Sequence, residues 1–206
     1  MQEHQVVGIV LVAGLVVFLV GAGAWKLAYQ QPLQQALPVI HLERRRRAWI
    51  HLWMMSGMFL TAAGVLSLSA AVGNGVAAVL SLMAAAVYAL GAVCWVTSMA
   101  FRLTVVPWAA EQTVERGRLP EGFAALDSWA GSLYAVHMIS AYVAFAILGA
   151  AVLADGELPR WAGWGGIVGG LAFVGGFLAT RRAGPFNPPA WAHLYTGLLG
   201  VLLLSS

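Results

Sequence analysis

The sequence predicts an all-α polytopic membrane protein: a single transmembrane domain over residues 1–206, built as a bundle of six helices with both termini outside. Three observations predict it. Hydrophobic residues make up 61% of the chain and charged residues 9%, against about 25% charged in an ordinary soluble domain. Six segments approach the ~20 mostly apolar residues needed to cross a bilayer: about 6–28, 49–72, 75–101, 128–153, 161–180 and 189–204. Ten of the eleven Lys and Arg residues fall in alternate loops. With a mean hydropathy of +0.81, this composition excludes a soluble globular enzyme, a disordered chain and a nucleic-acid-binding domain. The net charge of +3 reflects topology, and no nucleic-acid partner is expected.

The first span opens with an apolar run from Val6 and carries a small-residue patch, Gly21-Ala22-Gly23-Ala24, that together could be mistaken for a signal peptide. A signal peptide needs a positive n-region, and residues 1–5 carry Glu3 but no Lys or Arg, so this segment reads as a retained helix. The stretch 29–48 begins polar, with Gln30, Gln31, Gln34 and Gln35 around Pro32 and Pro38. After Pro38 a helix is expected to run continuously into span two, pairing Glu43 with Arg47 at i,i+4. Gly73-Asn74-Gly75 is a tight turn into span three. Val106-Pro107-Trp108 is expected to kink or end that helix, leaving a short interfacial helix over 108–116. Asp127 or Ser128 is the expected N-cap of span four. Asp155-Gly156-Glu157-Leu158-Pro159 separates spans four and five. Residues 183–189 separate five and six, and Pro189 suits a first helical turn.

Lys26, Arg44, Arg45, Arg46, Arg47, Arg102, Arg116, Arg118, Arg181 and Arg182 then share one side, and Arg160 alone takes the other. The positive-inside rule makes the populated side cytoplasmic. In a bacterium this is the inner membrane. The run Arg44–Arg47 is a topology determinant that reaches lipid headgroups, or in its functional reading an anionic-lipid or partner site. Trp25, Trp49, Trp53, Trp108, Trp129 and Trp191 fall near the cytoplasmic boundary, and Trp161 and Trp164 near the outer one, as an aromatic belt requires. Trp95 is the exception, inside span three. The single Cys94 excludes an intramolecular disulfide and a CxxC motif, and reads as a small core residue.

Span five carries Gly163, Gly165, Gly166, Gly169, Gly170, Gly175 and Gly176. Gly165/Gly169 and Gly166/Gly170 have GxxxG spacing, which marks close helix contact. The contact is expected inside the bundle; the alternative is a membrane-protein partner or a homo-oligomer through 161–180.

Ionisable residues inside a membrane are costly and become functional candidates. No Asp or Glu lies well within a span, which argues against a carboxylate proton relay. His51, His137 and His193 remain. Small-plus-polar stripes suggest bundle-facing positions: His51, Met55, Met58, Ala62; Tyr88, Gly91, Trp95, Ser98, Arg102; Tyr134, His137, Ala141, Ala144; and Ala190, His193, Gly197, Gly200 beside Thr196. His51 and His193 each lie two residues beyond a boundary tryptophan, so similar depths are expected, whereas His137 lies eight residues beyond Trp129, about 12 Å in from that boundary.

Four readings follow. A ligand cavity facing the cytoplasm would draw on His137, Tyr134, Ser98, Tyr88 and Thr196. It would serve a small or lipid-like ligand, or a small transported solute. A b-type haem, with electron transfer as its use, would take His51 and His193 as axial ligands. A histidine metal hydrolase finds no HExxH or carboxylate to complete it. In the plainest reading the histidines glue helices together through hydrogen bonds in an accessory subunit. The leading expectation is a non-enzymatic binder or accessory subunit, with no catalytic residue assigned.

Leu158-Pro159-Arg160-Trp161-Ala162-Gly163-Trp164 and the Gly-rich span after it resemble an element of uncharacterised bacterial six-helix integral membrane proteins. The likeness covers mainly 127–204. It implies six spans in a bacterial membrane and carries no activity.

Overall fold

A computed structural model describes residues 3–71, 75–180 and 189–205. Among these the chain forms seven α-helices and no strands: α1 (Glu3–Ala22), α2 (Leu33–Leu42), α3 (Arg44–Ala71), α4 (Val76–Arg116), α5 (Phe123–Asp155), α6 (Arg160–Thr180) and α7 (Pro189–Ser205). A single 3-10 turn, Leu27–Gln30, precedes α2. Helices α1, α3, α4, α5 and α6 are long and apolar enough to cross a membrane. The architecture is that of a multi-pass membrane protein.

Each helix leans on its neighbours in a ring. Helix α1 packs between α3 and α7, α3 meets α4, α4 meets α5, and α5 meets α6. Side chains of α7 close the ring: the Tyr195 hydroxyl donates to the Ala162 carbonyl at 3.2 Å, and Trp191 lies against Phe173. Lipid offers no hydrophobic drive between helices, so close approach must supply the contact energy. A Cβ on Gly57 would sit 2.7 Å from the Phe18 backbone nitrogen, and one on Gly170 would sit 2.4 Å from the Tyr142 carbonyl oxygen. The Gly166/Gly170 face is therefore the internal seam with α5. Gly165 and Gly169 have no neighbouring atom within 4 Å of an added Cβ.

The arginine end extends beyond the crossing segments. At 1.5 Å per residue the 41 residues of α4 span about 62 Å, twice the ~30 Å hydrocarbon core. The surplus is covered by α2, whose Ala36, Leu37 and Ile40 form a second apolar cluster with Phe101, Val106, Ala109, Ala110 and Phe123.

That cluster explains several departures from expectation. Helix α4 runs on through Pro107 to Arg116, so 108–116 is not a separate helix. Burial of Val106, Ala109, Ala110 and Thr113 offsets the proline's lost hydrogen bond. The helix ends where Gly117 turns left-handed and donates to the Thr113 carbonyl at 2.9 Å. Helix α5 starts at Phe123 after Gly122, not at Asp127 or Ser128, because fully buried Phe123 stacks on Phe101. Helix α2 includes Pro38 and stops at Glu43, so it does not run on continuously into α3. Glu43 pairs with Lys26 rather than with Arg47. Cys94 is half-buried and free. Arg181, Arg182 and the Gly73-Asn74 turn lie outside the described residues.

Candidate functional site

The arginine end holds a cavity of about 470 Å³. Its walls follow from the helix order. Helix α3 enters with Arg47, His51 and Met54, α4 passes with Trp95, Ser98, Met99 and Arg102, and α5 adds Gly131 and Tyr134. The end of α1 gives Phe18 and Ala22, and the turn after it gives Trp25, Tyr29 and Gln30. From Arg47 to Met54 is two helical turns, so the cavity is about 10 Å deep. Gln30 is exposed, and Trp25, Arg102, Gly131 and Tyr134 are half-buried, which places the mouth at the arginine end.

A polar clamp frames the mouth. The Lys26 ammonium and the Tyr29 hydroxyl both donate to the Glu43 carboxylate, the latter at 2.5 Å. Lys26 first, then Tyr29, hold the Glu43 carboxyl below its usual range. Burial, reinforced by Glu43, pushes the Tyr29 hydroxyl up to about 12. Arg46 donates to the Ala24 carbonyl at 2.9 Å. On the opposite wall Arg102 donates to Asp127 at 2.6 Å and ties α4 to α5.

Deeper in, His51 is 1% exposed. Its Nδ1 lies 2.7 Å from the Arg47 carbonyl. A carbonyl only accepts, so Nδ1 carries the proton in the neutral ring and Nε2 keeps its lone pair. The Ser98 hydroxyl donates to the Ala130 carbonyl at 2.9 Å. Phe18 and Trp95 form the floor, each backed by an imidazole. Phe18 stacks on His193 with centroids 3.9 Å apart, and Trp95 lies 6.0 Å from His137. Beneath that floor the Trp95 Nε1 and His193 Nε2 are buried without a hydrogen-bond partner among the described residues.

The expected ligand residues therefore divide. Tyr134 and Ser98 line the cavity. His137, Tyr88 and Thr196 are fully buried beyond it. The Tyr88 hydroxyl points at the Met58 sulfur, 3.4 Å away, and Thr196 bonds back to its own helix at Ala192 and His193. His51 and His193 are not brought together. His193 Nδ1 bonds Thr61 at 2.9 Å, and Thr61 lies ten residues from His51 on α3, about 15 Å of helix rise. The reason is where α7 begins. Its Trp191 meets Phe173, seven residues before the end of α6, so the first turn of α7 is inset by about 10 Å. Among the described residues, no group of three or more His, Cys, Asp or Glu is placed to hold a metal ion.

The arginine run also divides. Arg44, Arg45 and Arg46 are exposed, whereas Arg47 is turned inward and buried. Sequence reasoning missed this inward turn. The signal was present: Arg47 precedes His51 by four residues, so the bundle-facing stripe of α3 extends back to it.

No family model, curated protein or solved structure matches the chain.

Proposed function

We propose that this is a six-span protein of the bacterial inner membrane, with both termini outside, that binds a small or lipid-like ligand in the cytoplasm-facing cavity. The observation that carries this reading is the cavity itself: about 470 Å³, with an apolar floor and a few convergent polar groups at one end. Ligand sites have this size and lining. Orientation is supported by charge. Lys26 with Arg44–Arg47, Arg102 and the end of α4 at Arg116 share one end of the bundle, and Arg160 begins α6 at the other. The 17 residues of α7 reach about 26 Å, near the thickness of the hydrocarbon core, and supply the sixth span.

Binding is favoured over catalysis by how the polar groups are used. Ser98 and His51 each donate to a backbone carbonyl, so they do not form a nucleophile–base pair. Among the described residues no carboxylate lines the cavity. The protein is a binding or accessory subunit on this reading.

Native mass spectrometry of gently solubilised full-length protein tests the reading. Gly131 lines the cavity, and an added Cβ there meets no atom within 4 Å. Gly131→Leu should narrow the cavity and obstruct a ligand there. The expected result is a small-molecule adduct on the wild type that Gly131→Leu lacks. An adduct pattern identical in both proteins would overturn the reading.

A further inference from the structure

Arg47 is 4% exposed, and its Nε and Nη1 are buried without a hydrogen-bond partner among the described residues. The carboxylates beside the cavity are already engaged: Glu43 with Lys26 and Tyr29, Asp127 with Arg102. Arg47 thus faces the cavity as a cation with no counter-charge of its own. The Tyr29 ring lies 5.5 Å from the guanidinium carbon, and Asp127, bound to Arg102, acts on it only from a distance. A cation–π contact is weaker than the cost of burying an unpaired charge.

Arg47 also sits in the first turn of α3, which carries no acidic residue. A topology signal needs neither burial nor an inward turn, and exposed Arg44, Arg45 and Arg46 already supply one. The inward guanidinium is therefore a placement that a ligand anion would complete.

We propose that the cavity takes an amphipathic oxyanion, its carboxylate or phosphate head paired with Arg47 and its apolar body against Phe18, Met54 and Trp95. This rests on the cavity being a ligand site. The chemistry fits at both ends. A guanidinium presents parallel N–H donors that match two oxygens of a carboxylate or phosphate. The opposite end of the cavity, at Phe18 and Trp95, offers aromatic surface. The same head could come from an anionic membrane lipid or from a soluble amphiphile.

The test uses the full chain in phosphatidylcholine nanodiscs with two probes of equal length, ω-bromoundecanoate and ω-bromoundecanol. Bromine quenches nearby indoles, and Trp25 and Trp95 line the cavity. The cavity signal is the saturable quenching that Gly131→Leu abolishes. The acid should bind at least about tenfold tighter than the alcohol, and Arg47→Met should erase that preference. Exposed Arg46→Met should keep it. An alcohol that binds as tightly as the acid, or an Arg47→Met protein that retains the preference, overturns the anion assignment while leaving the cavity reading intact. If neither probe gives a signal sensitive to Gly131→Leu, the cavity reading fails and the assignment falls with it. Should Arg47→Met not assemble, the acid-to-alcohol ratio in the wild type decides alone. Replacing phosphatidylcholine by phosphatidylglycerol separates the sources. Competition with the acid identifies a lipid headgroup, and undiminished binding identifies a soluble amphiphile.

Discussion

Arg47 rests over the face of Tyr29, its guanidinium carbon 5.5 Å from the ring centroid. Tyr29 belongs to the turn after α1 and is itself held by Glu43 at 2.5 Å. The position of the buried cation is thus set by a ring that lies outside the crossing segments. The Lys26–Glu43–Tyr29 clamp links the loop between α1 and α3 to the mouth of the cavity.

Tyr29 has two separable contributions. Tyr29→Phe keeps the ring under Arg47 and removes the hydroxyl, and should cost about 1 kcal/mol of stability. Tyr29→Leu removes the ring as well and should cost roughly 0.5–2 kcal/mol more. Thermal unfolding of both variants in one detergent measures the difference. Equal losses in the two would show that the ring face does not support Arg47.

Glu43 makes the clamp sensitive to acid. Its carboxyl is held below the ordinary value of 4.5 by Lys26 and Tyr29. A depressed carboxylate contributes stability that is complete above the unfolded value and is lost as pH falls through the folded one. The difference in melting temperature between the wild type and Glu43→Gln should be constant above about pH 5.5 and shrink below about pH 4.5. A difference that grows on acidification would contradict the clamp.

The two GxxxG faces of α6 make opposite predictions. An added methyl at Gly170 meets the Tyr142 carbonyl, and one at Gly166 meets the Phe145 carbonyl at 2.8 Å. Gly166→Ala and Gly170→Ala should each destabilise the bundle by about 1–3 kcal/mol. Gly165→Ala and Gly169→Ala meet open space and should leave bundle stability unchanged. A loss of association in the last two without a loss of stability would reveal a partner on that face.

Much of this bundle was legible from periodicity. Tyr88, Trp95 and Ser98 recur at helical spacing among small residues, and the structure buries all three along α4 with Arg102 at the cavity mouth. What periodicity does not encode is how far each helix is slid along its neighbour. Counting from boundary tryptophans gave His51 and His193 one depth, but α7 is inset against α6 and His193 meets Thr61 instead. The non-membrane cap was hidden for a related reason. Pro38 and Pro107 read as breaks, yet both lie within helices whose apolar faces bury each other. Arg47 was obscured by its three exposed neighbours. Four consecutive residues point around the whole helix, so one of them had to face inward, and the buried Ile50 and His51 fix which.

The central claim is a cavity open at the arginine end and facing the cytoplasm. Gly131→Cys in a Cys94→Ser background places one thiol on its wall. An anionic, membrane-impermeant methanethiosulfonate then reports which side of the membrane reaches it. Modification in inside-out vesicles and protection in right-side-out vesicles is the expected result. Protection from both sides, with full modification after unfolding in detergent, would contradict an open cavity. Modification only in right-side-out vesicles would reverse the orientation.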